Sequence, residues 1–201
     1  GAVYSSAAVV DASGVLAAYR KTHLWNAERE VFEAGAERPP VVDTRVGRVG
    51  VGVCYDLFFP ELMRGLALRG ADILVVPTNS PRDAAETGPQ HHVGVSIARA
   101  TAHVNRVFVA VCDRCGEERG QRWVGRSAIV DPDGGLMAGP PGDGECTLLA
   151  DCDLATARAF LQTIDSFREH LSWHGVTAES NPSGGNKLRG LYNIALKSLG
   201  A

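Results

Sequence analysis

The sequence is nearly devoid of lysine. Among its 20 Lys+Arg residues only Lys21, Lys187 and Lys197 are lysines. In a chain that writes arginine almost everywhere, an internal Lys21 is a candidate for chemistry, with a solvated side chain as the equal reading on composition alone. Positive charge is not in excess either. Twenty cations against 23 Asp+Glu leave a net charge of −3, which argues against nucleic acid and anionic membranes as partners, because both select a basic footprint. No apolar run reaches the roughly 18–20 residues of a membrane span, and no signal peptide opens the chain. Five cysteines, Cys54, Cys112, Cys115, Cys146 and Cys152, are too few and too odd in number for a disulfide scaffold, so reduced thiols in the cytoplasm are expected. No GxSxG elbow is present, and the Gly-rich stretch 134–144 carries two prolines and no phosphate-binding lysine.

What is present is an ordinary folding composition, 45% hydrophobic and 21% charged over 201 residues, enough for one large domain or two small ones. Strand-like and helix-like segments alternate from residue 4 to about residue 165. Residues 7–10 and 15–21 flank a turn at 11–14 and read as a hairpin. Residues 25–34 read as a loop or a single helical turn, and Pro39–Pro40 precede a strand at 41–44. The strand at 46–54 alternates Val49, Val51 and Val53 with Gly50, Gly52 and Cys54, so its glycine face leaves room for a backbone or a ligand. Pro60 and Glu61 open a helix in which Leu62 and Leu66 stack, and Gly70 ends it. A buried strand at 71–77, a helix at 90–105 and strands at 106–112, 123–130 and 148–153 follow. A helix at 154–165 is capped near Asp153. This succession predicts an α/β domain with a mixed sheet. Residues 1–173 are assigned to that domain and 174–201 to a polar tail.

Cys54 lies where a Gly-bearing strand hands over to a helix, a position that projects a side chain into a crevice beside free backbone N–H groups. A thiol there is a nucleophile or a core filler, since free cysteine is often buried. Three strings in order shift the balance toward the nucleophile: YRKTHLW (19–25), GVCYDLFFPEL (52–62) and GADILVVPTN (70–79). With GRSAIVDPDG (125–134) they resemble the nitrilase, or carbon–nitrogen hydrolase, superfamily, and the amidase and carbamoylase branches in particular.

That resemblance implies a four-layer αββα sandwich, N-terminally incomplete here, with no cofactor and no metal. It implies hydrolysis of a small-molecule amide, N-carbamoyl or nitrile group through an acyl-enzyme on Cys54. Lys21 is implied as the cation for the developing oxyanion, aided by the Tyr55 backbone N–H, and Glu28 as a carboxylate orienting Lys21 and substrate. Glu28 also reads as a surface charge, with Glu30 and Glu33 close by. Tyr55, Asn79 and the loop 80–90 are expected to line the acyl pocket. The family's general-base Glu falls upstream of the segment matching 4–10. The sequence, which opens on Gly1 rather than Met, is therefore expected to be a partial member, inactive or slowed by that loss and prone to homo-oligomerise or aggregate through an exposed sheet edge. The alternative is a catalytically inactive partial sandwich that serves as an interaction module.

Cys112 and Cys115, with Cys146 and Cys152, could hold zinc or act in redox, but the second pair lacks knuckle spacing. His91, His92 and His103 are read as surface or pocket residues rather than ligands, because adjacent helical histidines diverge.

Overall fold

Ser13 donates from its backbone N–H and its hydroxyl to Asp11 Oδ1, at 2.7 and 2.6 Å. This side-chain-to-backbone turn folds β1 (Ser6–Asp11) back onto β2 (Gly14–Arg20) as an antiparallel hairpin. The computed structural model describes residues 1–82 and 92–157. After the hairpin a single turn, α1 (Glu28–Val31), precedes β3 (Val41–Thr44) and β4 (Gly47–Val51). A 3₁₀ turn over Cys54–Phe58 then leads into α2 (Pro60–Leu68). Beyond α2 come β5 (Ile73–Thr78), α3 (Val93–Asn105) and β6 (Phe108–Asp113). A two-residue-per-strand hairpin, β7 (Glu117–Glu118) and β8 (Gln121–Arg122), precedes β9 (Ala128–Val130) and β10 (Leu136–Ala138).

The main sheet has six strands in the order β10-β9-β6-β5-β4-β3. Its centre, β4, β5 and β6, is parallel, while β3 and β9 pair antiparallel at the flanks and β10 continues antiparallel on β9. Parallel neighbours require crossovers, and α2 and α3 supply them. Along β5, Leu74 and Val76 are buried while Ile73 and Val75 on the other face are half-buried. The buried face joins Val109 and Val111 of β6, Val130 of β9, Met63 and Leu66 of α2, and Ala98 and Ala102 of α3 in one core. Each fully buried leucine stabilises by about 1.5–3 kcal/mol. The two alanines let α3 approach β6 closely.

Helix α2 begins with Pro60 at its first position, where a missing N–H costs nothing. It ends at Gly70, whose φ of +86° suits glycine and whose N–H bonds to Ala67 O at 2.8 Å. The α/β class, the mixed sheet, the first hairpin, the single turn α1, and the strand–helix order through β6 agree with the sequence-based expectation. The second sheet expected for a sandwich appears among the described residues as the two-stranded β1–β2 pair.

Four local expectations differ. The strand at 46–54 ends at Val51, and Cys54 adopts a left-handed backbone with φ of +51°. The glycine face of β4 does not stand open to a ligand. A Cβ at Gly50 would lie 2.8 Å from Leu74 Cδ2, and one at Gly52 would lie 2.8 Å from Met63 Cε, so core side chains fill that space. Residues 148–153 form no strand. The strand expected at 123–130 shrinks to β9, because Trp123 instead bridges to Pro81. The Ala155 N–H does bond to Asp153 Oδ1 at 3.0 Å, the cap expected there. The helix beyond residue 157, the boundary at 173 and the tail 174–201 lie outside the described residues.

Candidate active site

The parallel strands β4, β5 and β6 end side by side, and their C-terminal ends carry the chemistry-bearing residues. Cys54 follows β4, Asn79 follows β5, and Asp113 closes β6. The crevice outside the carboxyl ends of parallel strands is where such sheets bind ligands. Lys21 arrives from a separate element, one residue beyond β2. Its backbone is fixed on both sides, with its N–H on Ser5 O and the Gly35 N–H on its own carbonyl, each at 2.8 Å.

The Lys21 side chain is fully buried, and its Nζ donates to Glu28 Oε2 at 2.5 Å. A buried ammonium without a carboxylate partner would destabilise the fold, and Glu28 supplies that partner. Glu28 stands at the start of α1, and the same Oε2 accepts the Trp25 N–H at 2.7 Å. Glu28 is thus paired with Lys21 rather than standing as a lone surface charge.

Cys54 is partly exposed, and Lys21 and Glu28 both act on it electrostatically. Burial pushes the thiol above its ordinary value. The Asn79 backbone N–H, the Lys21 ammonium and the Tyr55 backbone N–H pull it down, and Glu28 pushes it up. The Lys21 contribution has the sign expected from sequence, but desolvation outweighs it and leaves the thiol above its ordinary value. Asn79 contributes through its main chain. The left-handed backbone at Cys54 is uncommon outside glycine and is held by a tight turn, with the Asp56 N–H on Val53 O at 3.0 Å.

The Tyr55 ring packs against Phe58 and edge-on to Phe59, with centroids 5.5 and 5.2 Å away. It forms a wall of a cleft of about 350 Å³, with Thr22, His23, Arg29 and Phe59 as further walls. Lys21, Glu28 and Cys54 do not line this cleft, although their chain neighbours Thr22, Arg29 and Tyr55 do. Most of the loop 80–90 and His91 lie outside the described residues. His92 precedes α3, and His103 bonds to Asp133 O at 3.0 Å. All five cysteines are free, and among the described residues no three His, Cys, Asp or Glu side chains cluster as metal ligands.

Comparison with known proteins supplies the family. The family described as Carbon-nitrogen hydrolase matches residues 1–162. The chain belongs to the carbon–nitrogen hydrolase family. The C-terminal region of D-galactarate/altronate dehydratase matches residues 143–201, mostly outside the described part. A nitrilase of Pyrococcus abyssi is 35% identical over 78% of this chain and 56% of its own length. An (R)-stereoselective amidase of a Pseudomonas species is 32% identical over 94% of this chain and 66% of its own.

Among solved structures, a carbon–nitrogen hydrolase from Helicobacter pylori G27 superposes with a TM-score of 0.74 at 26% identity, over 83% of this chain and 62% of that one. A glutamate-to-glutamine mutant of the amidase from Nesterenkonia sp. AN1, with an acetamide moiety added covalently at its active-site cysteine, gives 0.66 at 30% identity. It covers 82% of this chain and 60% of that one. This carbon–nitrogen hydrolase chain thus spans between half and two thirds of these relatives.

Sequence reasoning passed over Asp56, Tyr19 and His23, which the fold packs around the site. All three lie inside the quoted strings, two positions from Cys54 or Lys21, and nothing in one dimension shows that they meet. The Asp56 carboxylate is fully buried and accepts from Tyr19 Oη and Val53 N at 2.9 Å on one oxygen. On its other oxygen it accepts from His23 N at 3.1 Å and meets His23 Nδ1 at 2.8 Å. The His23 ring stacks on Phe59 with centroids 3.6 Å apart. Among the described residues no helix is long and apolar enough to cross a membrane.

Proposed function

We propose that this protein hydrolyses a non-peptide carbon–nitrogen bond of a small amide, N-carbamoyl compound or nitrile, through an acyl-enzyme on Cys54. The observation that carries this reading is a buried, carboxylate-held Lys21 whose charge acts on Cys54 beyond the carboxyl end of a parallel strand. The relatives' names, nitrilase and (R)-stereoselective amidase, support the bond class. Neither relative's name supports the interaction-module alternative.

For an amide, Cys54 Sγ attacks the carbonyl carbon as its proton passes to a carboxylate, the group that family resemblance places upstream of the segment matching residues 4–10. The carbonyl electron pair moves onto oxygen, where the Lys21 ammonium and the Tyr55 N–H stabilise it. Collapse reforms the carbonyl and breaks the C–N bond, and the nitrogen leaves with a proton as ammonia or an amine. Water then attacks the thioester, releasing the acid and restoring the thiol. Glu28 holds the ammonium in place; its Oε2 already serves Lys21 and Trp25, which suits a positioning carboxylate rather than the base.

Tyr55 is assigned to the pocket wall and Asn79, through its backbone, to the sulfur. Five free cysteines support a reducing, cytoplasmic setting. Exposed Val10 and Val15 on the β1–β2 hairpin support self-association, to be read by light scattering. The deciding experiment incubates the protein with a panel of small primary amides and N-carbamoyl amino acids. It follows ammonia release and the intact mass of trapped adducts. A Cys54-borne acyl group, with turnover lost in Cys54→Ala, is expected. Turnover that survives Cys54→Ala overturns the reading.

A further inference from the structure

Lys21 and Cys54 sit on different elements, one beyond a two-stranded hairpin and one beyond the main sheet. Catalysis needs their separation held to a fraction of an ångström, and neither hairpin nor sheet fixes it through its own ladder. Asp56 spans the gap. On the Lys21 side its carboxylate receives the Tyr19 hydroxyl, the His23 backbone N–H and, at 3.3 Å, the Thr22 hydroxyl. On the Cys54 side it receives the Val53 backbone N–H at 2.9 Å, which closes the turn that keeps Cys54 left-handed.

We propose that Asp56 is a positioning residue, whose carboxylate clamps the segment 19–23 to the turn 53–56 and so sets Lys21 against Cys54. The proposal rests on the catalytic reading of that pair and assigns the clamp to a residue outside it.

The geometry demands a carboxylate and not merely a polar group. Each oxygen accepts one backbone N–H, from Val53 on one side and His23 on the other. An amide in its place turns its NH₂ toward one of those N–H donors whichever way it is flipped. Donor then faces donor in a dry site, and one of the two segments is released. Tyr19 belongs to the same clamp. Its ring is 2% exposed, its hydroxyl donates to Asp56, and it accepts the Thr22 N–H at 3.1 Å. Burial pushes the phenol far above its ordinary value, so it stays a donor across any working pH.

The test is Asp56→Asn in the full chain, with two readouts beside far-UV circular dichroism. The first is the pH dependence of Cys54 alkylation by iodoacetamide, followed by mass. The second is the split of kcat and KM on whichever amide the wild type turns over. With Lys21 displaced, the alkylation midpoint is expected to move to higher pH. A misplacement of about 1 Å lowers kcat by roughly 100-fold, with KM within about threefold. A folded Asp56→Asn protein with the wild-type alkylation profile and kcat overturns the proposal.

Should Asp56→Asn fail to fold, Tyr19→Phe keeps the ring in the core and removes one arm of the clamp. It is expected to move both readouts the same way by a smaller factor, and an unchanged profile and kcat in it overturn the proposal equally. If the wild type turns over no amide, N-carbamoyl compound or nitrile and Cys54 traps no acyl group, yet Asp56→Asn still moves the Cys54 profile, the clamp stands and the catalytic reading falls.

Discussion

Glu28 Oε2 receives the fully buried Lys21 ammonium at 2.5 Å and, from the segment leading into α1, the Trp25 N–H at 2.7 Å. The two side chains are seven positions apart, and the single turn α1 exists where it does to bring them together. The cation of the site is thus built from one local segment, while its sulfur comes from a distant one.

Removing the cation leaves Cys54 without its electrostatic partner. Lys21→Met is expected to lower kcat by about 10²–10³-fold, the range for loss of one preorganised donor to a developing oxyanion. Glu28→Ala is expected to cost on the order of 3 kcal/mol of stability by leaving the buried ammonium unpaired. Steady-state kinetics and thermal melts check the two.

Because burial raises the Cys54 thiol, its alkylation is expected to be slow at neutral pH and to climb above pH 9. Lys21 pulls the value down, so Lys21→Met moves the profile further up. Linkage has a matching sign. The stability that the neutral thiol contributes is complete below the unfolded thiol's value. It is lost as pH rises through the higher folded one. Alkylation at a series of pH values, with urea melts at pH 8 and 10, tests both.

Gly50 lets α2 and β5 close over β4, since a Cβ there would meet Leu74 Cδ2 at 2.8 Å, Ala71 Cβ at 3.1 Å and Leu66 Cβ at 3.3 Å. Gly50→Ala is expected to destabilise by about 1–3 kcal/mol through overpacking. A denaturant melt with an unchanged midpoint would refute that account of the glycine.

Asp113 plays a part beside Asn79 that a residue count cannot reveal. Its carboxylate takes the Ser80 N–H at 2.9 Å and the Arg126 N–H at 3.1 Å. Asp113→Ala leaves two main-chain donors without that acceptor and is expected to cost about 1–3 kcal/mol for each that stays dry. With the Asn79 segment loosened, Cys54 alkylation is expected to shift upward in pH as well. Melts combined with the alkylation profile measure the two effects.

Two levels of information met in this protein. Apolar runs such as ILVVP, bounded by glycine and by Pro60, name the strands and helices of the sheet because strand period and helix punctuation are local properties of the chain. The strings around Lys21 and Cys54 name the family for the same reason, since a motif is a one-dimensional object. Local rules failed where a neighbour from elsewhere intervenes. Val46–Cys54 alternates like one strand, yet it breaks after Val51 because Asp56 draws the Val53 N–H out of the ladder. The paired glycines looked like space for a ligand, and α2 and β5 fill it.

By itself, then, the sequence determined the α/β class, the order of the elements and the identity of the candidate nucleophile and cation, all matters of residue type and spacing. Tertiary structure alone decided that burial holds the Cys54 thiol above its ordinary value, that Glu28 pairs with the ammonium rather than standing as a surface charge, and that Asp56 bonds to both the segment 19–23 and the turn 53–56. Desolvation and hydrogen bonding depend on distances through space, and those distances come into being only when the hairpin and the sheet pack against each other.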